Sequence, residues 1–165
     1  MEKIKILVAE DEVTSQKIYE RGLDDEVFDC HFVANGTDAI HAYLEEQPEL
    51  IVLDMRMPGM TGYAVLKEIR KTHEDQNVAV VMATAVSDKD DVVACVQLGI
   101  QGYIVKPIKI GEIGAKVLEC YQKTNPEKAA AGLKSLEEKR KKHFEEKMAK
   151  ARASAASSPT ETNKE

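Results

Sequence analysis

The sequence predicts an α/β domain in which helices cover both faces of a parallel sheet, a doubly wound arrangement. Five short apolar runs, rich in β-branched residues, alternate over the first 105 residues with segments of helical spacing. Four of the runs lack alternation of polar and apolar residues, which is typical of strands buried on both faces. A strand followed by a helix, repeated five times, indicates a parallel sheet with right-handed crossovers.

The apolar runs define the predicted strands. In chain order they cover residues 4–9, 28–34, 50–53, 78–83 and 103–105. In the second run, Asp29 and His31 alternate with apolar residues, which favours a strand at the edge of the sheet.

Helices are predicted between the runs and after the last one. Apolar stripes at helical spacing lie within residues 39–44 and 110–121. Ser87 and the acidic residues after it predict a helix start, at which the hydroxyl caps free amides and the carboxylates favour the positive end of the helix dipole. Gly99 is placed to end that helix. The first helix, over about residues 13–23, has a weaker pattern and is placed by elimination.

Charge divides the chain into two parts. Residues 1–125 hold 13 Lys and Arg against 22 Asp and Glu, whereas residues 126–165 hold 10 against 7. The acidic first part argues against a general nucleic-acid surface, which needs clustered basic side chains. We expect a main domain at residues 1–124, a charged helical extension at 125–150 and a disordered tail at 151–165.

The composition also excludes several classes of protein. The apolar stretches are too short for a membrane span, and no long hydrophobic segment follows Met1 as a secretory signal would. Three cysteines without close pairing fit neither a disulfide framework nor a zinc site. We therefore expect reduced thiols in a cytoplasmic protein.

Polar residues follow four of the predicted strands at the point where each strand ends. They are Glu10 and Asp11 after the first strand, Asp54 after the third, Thr84 after the fourth, and Lys106 and Pro107 after the fifth. In a parallel sheet these ends lie on one edge, where α/β proteins bind ligands. The sequence therefore predicts a single polar cluster.

The residue types in this cluster indicate phosphoryl chemistry. Three neighbouring carboxylates repel one another, and a bound cation is the usual means of keeping them ionised. Oxygen ligands without His or Cys favour magnesium. Lys106 supplies a compact positive charge and Thr84 a hydroxyl donor, which together suit a phosphoryl group. The Asp54 carboxylate is a candidate nucleophile that would form an aspartyl phosphate.

Four segments resemble the receiver domain of two-component response regulators, the CheY-like family. They are residues 6–12 (ILVAEDE), 53–62 (LDMRMPGMTG), 82–85 (MATA) and 102–107 (GYIVKP). The resemblance spans about residues 3–123. It implies a flavodoxin-like sheet of five strands in the order 2-1-3-4-5.

The resemblance implies a phosphoacceptor and a metal site. Asp54 would accept phosphate from a sensor histidine kinase or a phosphotransfer protein. Mg²⁺ would be held by Asp54, by Asp11 directly, by Glu10 mainly through water, and by the backbone carbonyl of Arg56. Many family members have Asp where this chain has Glu10, a departure that we do not expect to abolish metal binding.

The resemblance also implies a switch. Thr84 and Lys106 would contact the phosphoryl oxygens, and Pro107 would follow a cis peptide bond. Tyr103 would turn inward when the Thr84 hydroxyl moves toward the phosphate, and would alter the face made by the fourth helix, fifth strand and fifth helix. Arg56 and Val86 sit where this family tunes hydrolysis of the phosphoryl group.

The C-terminal part, residues 126–165, determines which partners we expect. It lacks the apolar content for a second core, so we expect a stand-alone receiver with no DNA-binding domain and no membrane contact. Such a receiver would dock on a downstream protein target. We expect it to be a monomer or a phosphorylation-dependent dimer. The basic run at residues 139–142 is diluted by neighbouring glutamates, which favours a solvated helix face over a nucleic-acid or membrane site.

Two other functions remain open at this point. One is a magnesium-dependent phosphatase with an Asp nucleophile, although such enzymes use a second Asp where this chain has Arg56. The other is a degenerate receiver that only binds partners, against which the complete set of site residues argues. We expect a signalling protein that catalyses only its own phosphotransfer and dephosphorylation, rather than an enzyme.

Overall fold

The computed structural model describes residues 2–157 and contains a five-stranded parallel sheet. Its strands are β1 (Ile4–Ala9), β2 (Phe28–Val33), β3 (Leu50–Asp54), β4 (Ala79–Thr84) and β5 (Gly102–Val105). Their order is β2-β1-β3-β4-β5, and all four neighbouring pairs are parallel. The predicted fold class and strand order are therefore confirmed, as is the edge position of the second strand.

Six α-helices connect and cover the strands. They are α1 (Val13–Gly22), α2 (Gly36–Glu46), α3 (Gly62–Lys67), α4 (Lys89–Leu98), α5 (Ile110–Tyr121) and α6 (Pro126–Ala156). A π-helical turn at Glu68–Thr72 continues α3, and a 3-10 turn at Val86–Asp88 precedes α4. Within residues 2–157, none of these helices has the length and apolar character needed to cross a membrane.

Alternate residues of each inner strand pack into two separate cores. In β1, Val8 belongs to the core beneath α1, α5 and α6, whereas Leu7 belongs to the core beneath α2 and α3. This follows from the two-residue period of a strand, which directs successive side chains to opposite faces. Each fully buried aliphatic side chain contributes about 1.5–3 kcal/mol to folding. The two cores hold the strand ends in register at the edge that carries the polar cluster.

The start of α4 differs from the sequence prediction. The helix begins at Lys89, and its N-cap is Asp88, which makes no capping hydrogen bond with its side chain. Ser87 is therefore not the cap, because the 3-10 turn occupies its position and the Asp88 carboxylate turns back toward Arg56. The predicted end at Gly99 is confirmed, since this residue has φ +89° and closes the helix in the left-handed region.

The first half of α6 packs against the core beneath α1 and α5. Ala129 and Gly132 are buried, and Leu133 and Leu136 pack against the cluster beneath α5. A Cβ on Gly132 would lie 3.0 Å from a methyl carbon of Leu118, so the two helices are in close contact. The apolar stripe that sequence alone placed in a separate extension therefore belongs, in this half, to the main core.

The second half of α6 is exposed. Residues 141–157 are all exposed, and the Phe144 side chain is 64% accessible. The helix continues to Ala156, beyond the expected boundary at residue 150. The remaining part of the predicted disordered tail, residues 158–165, lies outside the described residues. The division of the chain at residues 124 and 150 remains a prediction.

Two lysines anchor α6 through ion pairs, of which those with Glu49 and Asp24 are the shortest. Lys128 Nζ lies 2.9 Å from Glu49 Oε1, and Lys139 Nζ lies 2.9 Å from Asp24 Oδ2. Burial alone would raise the pKa of each carboxyl, but hydrogen bonds from the lysine and from neighbouring groups, together with the lysine charge, outweigh it and hold both pKa values below their usual range. Because all four side chains are partly exposed, each pair stabilises the docked helix only modestly.

We expect α6 to loosen in acid. A carboxyl with a lowered pKa contributes stability above its unfolded pKa, about 4, and loses that contribution as the pH falls through the lower folded value. NMR signals of the Gly132 and Gly114 amides should therefore shift between about pH 5 and pH 2.5. In an Asp24→Asn, Glu49→Gln double variant this shift should largely disappear. An unchanged shift in the double variant would show that these pairs do not anchor the helix.

Candidate functional site

The Lys106 ammonium joins two carboxylates at the carboxyl edge of the sheet. Its Nζ atom lies 2.8 Å from Asp54 Oδ2 and 3.1 Å from Glu10 Oε2. Glu10 has no exposed surface and Asp54 is 5% exposed. Buried carboxylates are stable only when they are paired or hydrogen-bonded, so Lys106 is the group that allows both to sit here.

Asp11 completes an acidic cluster with these two residues. Carboxylate oxygens of Glu10, Asp11 and Asp54 all lie within 4.8 Å of one another, and Asp11 is exposed. The pKa of Glu10 is raised to about 7, mainly by burial and also by the nearby Asp54 carboxylate, while the Glu12 amide and Lys106 oppose the shift. One ammonium does not balance three carboxylates. The oxygen-only donor set therefore fits a hard divalent cation.

The alternation of the strands explains why these side chains meet. Glu10, Asp54 and Lys106 each follow by two positions a residue of the same core: Val8, Val52 and Ile104. A spacing of two returns a side chain to the same face of a strand, so all three point to the face covered by α1 and α5. The charged side chains at the ends of three different strands therefore lie close together at the carboxyl edge of the sheet.

Thr84 approaches from the other face of the sheet. It follows by two positions Met82, which belongs to the opposite core, and it is buried. Its hydroxyl oxygen lies 3.2 Å from the Ala85 carbonyl oxygen and 3.5 Å from Asp88 Oδ2. Among the described residues this hydroxyl makes no hydrogen bond to Asp54. Thr84 therefore lies at the edge of the site, but its hydroxyl contacts the turn before α4.

Arg56 connects the two loops that border the site. Its backbone amide donates to Asp54 Oδ1 at 3.2 Å, while its side-chain Nε donates to Asp88 Oδ1 at 2.9 Å. The Arg56 side chain is otherwise 70% exposed. A cavity of about 350 Å³ lies between these loops and is lined by Glu10, Asp11, Glu12, Asp54, Arg56, Ala85, Asp88 and Lys106. It offers room for a small charged ligand beside Asp54.

The remaining predicted residues lie around a second hollow. Tyr103 is 52% exposed and Val86 is exposed on the facing turn. Between them is a cavity of about 320 Å³, whose lining is Thr84, Ala85, Val86, Lys89, Val92, Val93, Tyr103 and Val105. The Lys106–Pro107 peptide bond, which carries the chain out of β5, is cis.

Three contributors to the site were missed from sequence. The Gln16 amide donates to the Glu10 backbone carbonyl at 2.6 Å and fixes the loop after β1. Asp88 was read as part of a helix start, although its carboxylate faces the site cavity. At Gly62, a Cβ would lie 2.1 Å from the Asp54 backbone oxygen. Gly62 lies within the segment 53–62 that resembles the family, whereas no local pattern distinguishes Gln16 or Asp88 as a site residue.

The chain is similar to known receiver domains in sequence and structure. A family model described as the response regulator receiver domain matches residues 6–118. A relative named "Probable transcriptional regulator ycf27", from Porphyridium aerugineum, is 38% identical over 117 residues, which cover 71% of this chain and 48% of the relative. This chain therefore spans about half the length of that relative.

Two solved structures have the same fold. The signal receiver domain of a protein described as a Luxo repressor, from Vibrio parahaemolyticus, is 29% identical with a TM-score of 0.68 and covers 76% of this chain and 95% of its own. A CheY-like receiver domain protein from Methanospirillum hungatei JF-1 is 20% identical with a TM-score of 0.68, covering 76% of this chain and 99% of its own. At that identity the second similarity shows the fold alone.

The relatives correct the expected set of partners. Several are named as transcriptional regulators, and each is matched over only about half of its length. The expectation of a protein with no DNA-binding domain that signals only by docking on another protein is therefore wrong. It was based on the low apolar content of residues 126–165, which says nothing about the longer proteins in which such receivers occur.

We expect Gly62→Ala to lower the free energy of unfolding by about 1–3 kcal/mol, because the added methyl would meet the Asp54 backbone oxygen and the strand end cannot yield without disturbing β3. Urea denaturation followed by circular dichroism measures this difference. Gly111→Ala is the matched control, since a Cβ there meets nothing within 4 Å. Equal stability of the two variants would refute the close approach at Gly62.

Proposed function

Because the chain belongs to the response regulator receiver domain family, we propose that it is a phosphorylation-activated switch of a two-component phosphorelay. In this proposal Asp54 accepts a phosphoryl group from a histidine kinase. The main support is the position of the Lys106 ammonium, 2.8 Å from Asp54 Oδ2 within the acidic cluster. That arrangement places a nucleophile and a compensating cation side by side.

Magnesium is the cofactor that fits this cluster. The residues that would hold it are Asp11, Glu10, Asp54 and, through its backbone carbonyl, Arg56. When bound, Mg²⁺ supplies positive charge that offsets the charge on the phosphoryl oxygens. The raised pKa of Glu10 supports this role, because it reflects a buried carboxyl that a cation would keep ionised.

The transfer itself needs little from the protein beyond positioning. One Asp54 carboxylate oxygen bonds to phosphorus as the phosphorus–nitrogen bond of the donor histidine breaks. The Arg56 amide already lies 3.2 Å from Oδ1 and Lys106 2.8 Å from Oδ2, so the carboxylate is oriented before the donor arrives. Lys106 then remains beside the acyl phosphate and compensates its charge.

The signal leaves the site through Thr84 and Tyr103. The Thr84 hydroxyl moves toward a phosphoryl oxygen and vacates space next to the second hollow, into which the half-exposed Tyr103 ring turns. This changes the face made by α4, β5 and α5, on which Val93, Val96 and Val105 are exposed. The names of the relatives support the further proposal that, in the whole protein, this switch controls transcription.

The phosphatase alternative receives no support from the site. The position two residues after Asp54 holds Arg56, whose guanidinium is bound to Asp88 and does not give up a proton at neutral pH, so it cannot act as a general acid. The matched relatives are regulators rather than enzymes.

We expect Asp54→Asn to abolish labelling of the chain by radioactive acetyl phosphate in the presence of Mg²⁺, since an amide is not the required nucleophile. Chelation of Mg²⁺ should abolish labelling of the parent chain as well. Asp25→Asn, at an exposed position away from the site, is the matched control and should be labelled normally. Full labelling of Asp54→Asn would remove Asp54 from the proposed role.

We expect Tyr103 to become less accessible when the phosphoryl mimic beryllofluoride binds. The chain has five tyrosines and no tryptophan, so fluorotyrosine labelling gives a simple ¹⁹F NMR spectrum in which Tyr103→Phe identifies one signal. That signal should lose its solvent-induced shift on addition of beryllofluoride and Mg²⁺, while the signals of the buried Tyr19 and Tyr121 should stay constant. A Tyr103 signal that does not respond would contradict the inward turn.

A further inference from the structure

We propose that Asp88 is a positioning residue that holds the Thr84 hydroxyl in its unphosphorylated place and thereby opposes activation. Asp88 lies in a cluster with Arg56, Thr84 and Ala85, which we name the Asp88 cluster. It rests on the proposed function of Asp54, and it adds a residue to which neither the family resemblance nor the named relatives assign a role.

The Asp88 carboxylate is buried and shared among three donors. Its side chain is 1% exposed. Oδ1 accepts from the Arg56 guanidinium, with Nε at 2.9 Å, while Oδ2 accepts from the Ala85 amide at 3.2 Å and lies 3.5 Å from the Thr84 hydroxyl. The hydrogen bonds from Arg56 hold the pKa of Asp88 below its usual range, so the group is charged at neutral pH.

These contacts compete directly with phosphorylation. The Thr84 hydroxyl has one hydrogen, so it cannot donate both within the turn before α4 and to a phosphoryl oxygen on Asp54. Within the turn that hydrogen has two acceptors, the Ala85 carbonyl at 3.2 Å and Asp88 Oδ2 at 3.5 Å, so its release removes a donor from the buried Asp88 carboxylate and is unfavourable. Asp88 therefore stabilises the conformation in which Thr84 faces away from Asp54.

The same cluster extends to the other loop of the site. Arg56 lies two residues after the phosphoacceptor, and its guanidinium connects that loop to the turn before α4 through Asp88. Asp91 lies 3.6 Å from the same guanidinium but is exposed, so it adds little. A group that stabilises only the unphosphorylated conformation lowers the apparent affinity for any phosphoryl mimic.

The test measures beryllofluoride binding in the presence of Mg²⁺ by NMR titration of the full chain. Asp88→Asn keeps an oxygen that can accept from the Ala85 amide but removes the charge. We expect it to bind beryllofluoride about fivefold or more tightly than the parent, at the lower end of typical coupling between two sites. Its Thr84 and Ala85 amide signals, without ligand, should lie between the free and bound positions of the parent.

Asp90→Asn is the matched control, because Asp90 lies in the same first turn of α4 and is exposed. It should bind like the parent. In a Thr84→Val background, which lacks the hydroxyl, Asp88→Asn should no longer tighten binding. If Asp88→Asn has no effect in this background, it acts by releasing the Thr84 hydroxyl. If it still tightens binding, it acts by loosening the turn as a whole, which contradicts the proposal.

A second variant guards against a folding defect in Asp88→Asn. Arg56→Gln removes the charged partner of Asp88 at an exposed position but leaves the Asp88 charge in place, so the carboxylate depends more on Ala85 and Thr84 and binding should weaken. The proposal is overturned when the parent binds beryllofluoride but Asp88→Asn binds equally or more weakly with unmoved Thr84 signals, or when Arg56→Gln binds more tightly than the parent. Failure of the parent to bind, or binding by Asp54→Asn, would instead overturn the proposed function and this inference with it.

Discussion

The contact of one ammonium with two buried carboxylates is the constraint on which the site depends. Lys106 lies between Glu10 and Asp54, at the ends of three different strands. Removing the lysine would leave two buried anions unpaired, a change that typically costs about 3–5 kcal/mol. The hydrophobic sheet can therefore end in charged residues only because β5 delivers this cation to the ends of β1 and β3. The remaining excess of negative charge is what makes the site suited to a cation.

The residues of the site come from both faces of the sheet. The acidic cluster and Lys106 lie on the face covered by α1 and α5, whereas Thr84 comes from the opposite core. In the proposed function, a phosphoryl group on Asp54 would lie at the edge where both faces meet and would offer acceptors to groups from each. The Asp88 cluster lies on the Thr84 side, so the proposed competition between Asp88 and a phosphoryl group would act across the sheet edge. In that proposal, a charge added on one face would change the surface near Tyr103 on the other.

The two halves of α6 lie in different environments, one packed against the core and one exposed to solvent. Its first half supplies apolar side chains to the receiver core and is oriented by Lys128 and Lys139, which pair with carboxylates at the base of β3 and after α1. Its second half, beginning at residue 141, has no contact of this kind within the described residues. Two of the basic residues near the end of the chain, Lys128 and Lys139, therefore form ion pairs with carboxylates of the acidic main domain.

Local patterns were sufficient to determine the α/β class, the strand positions and the polar strand ends, because the period of apolar residues and the edge of a parallel sheet are properties of short segments. Sequence alone did not locate α3, and it mistook Ser87 for a helix cap. The partners of Asp88, the close approach of Gly62 to Asp54 and the docking of α6 were decided by tertiary structure. The first and the last join residues far apart in the chain, as with Arg56 and Asp88 or Lys128 and Glu49. A carboxylate at a helix start has the same local sequence whether it faces solvent or a guanidinium, and only the packing of two loops determines which.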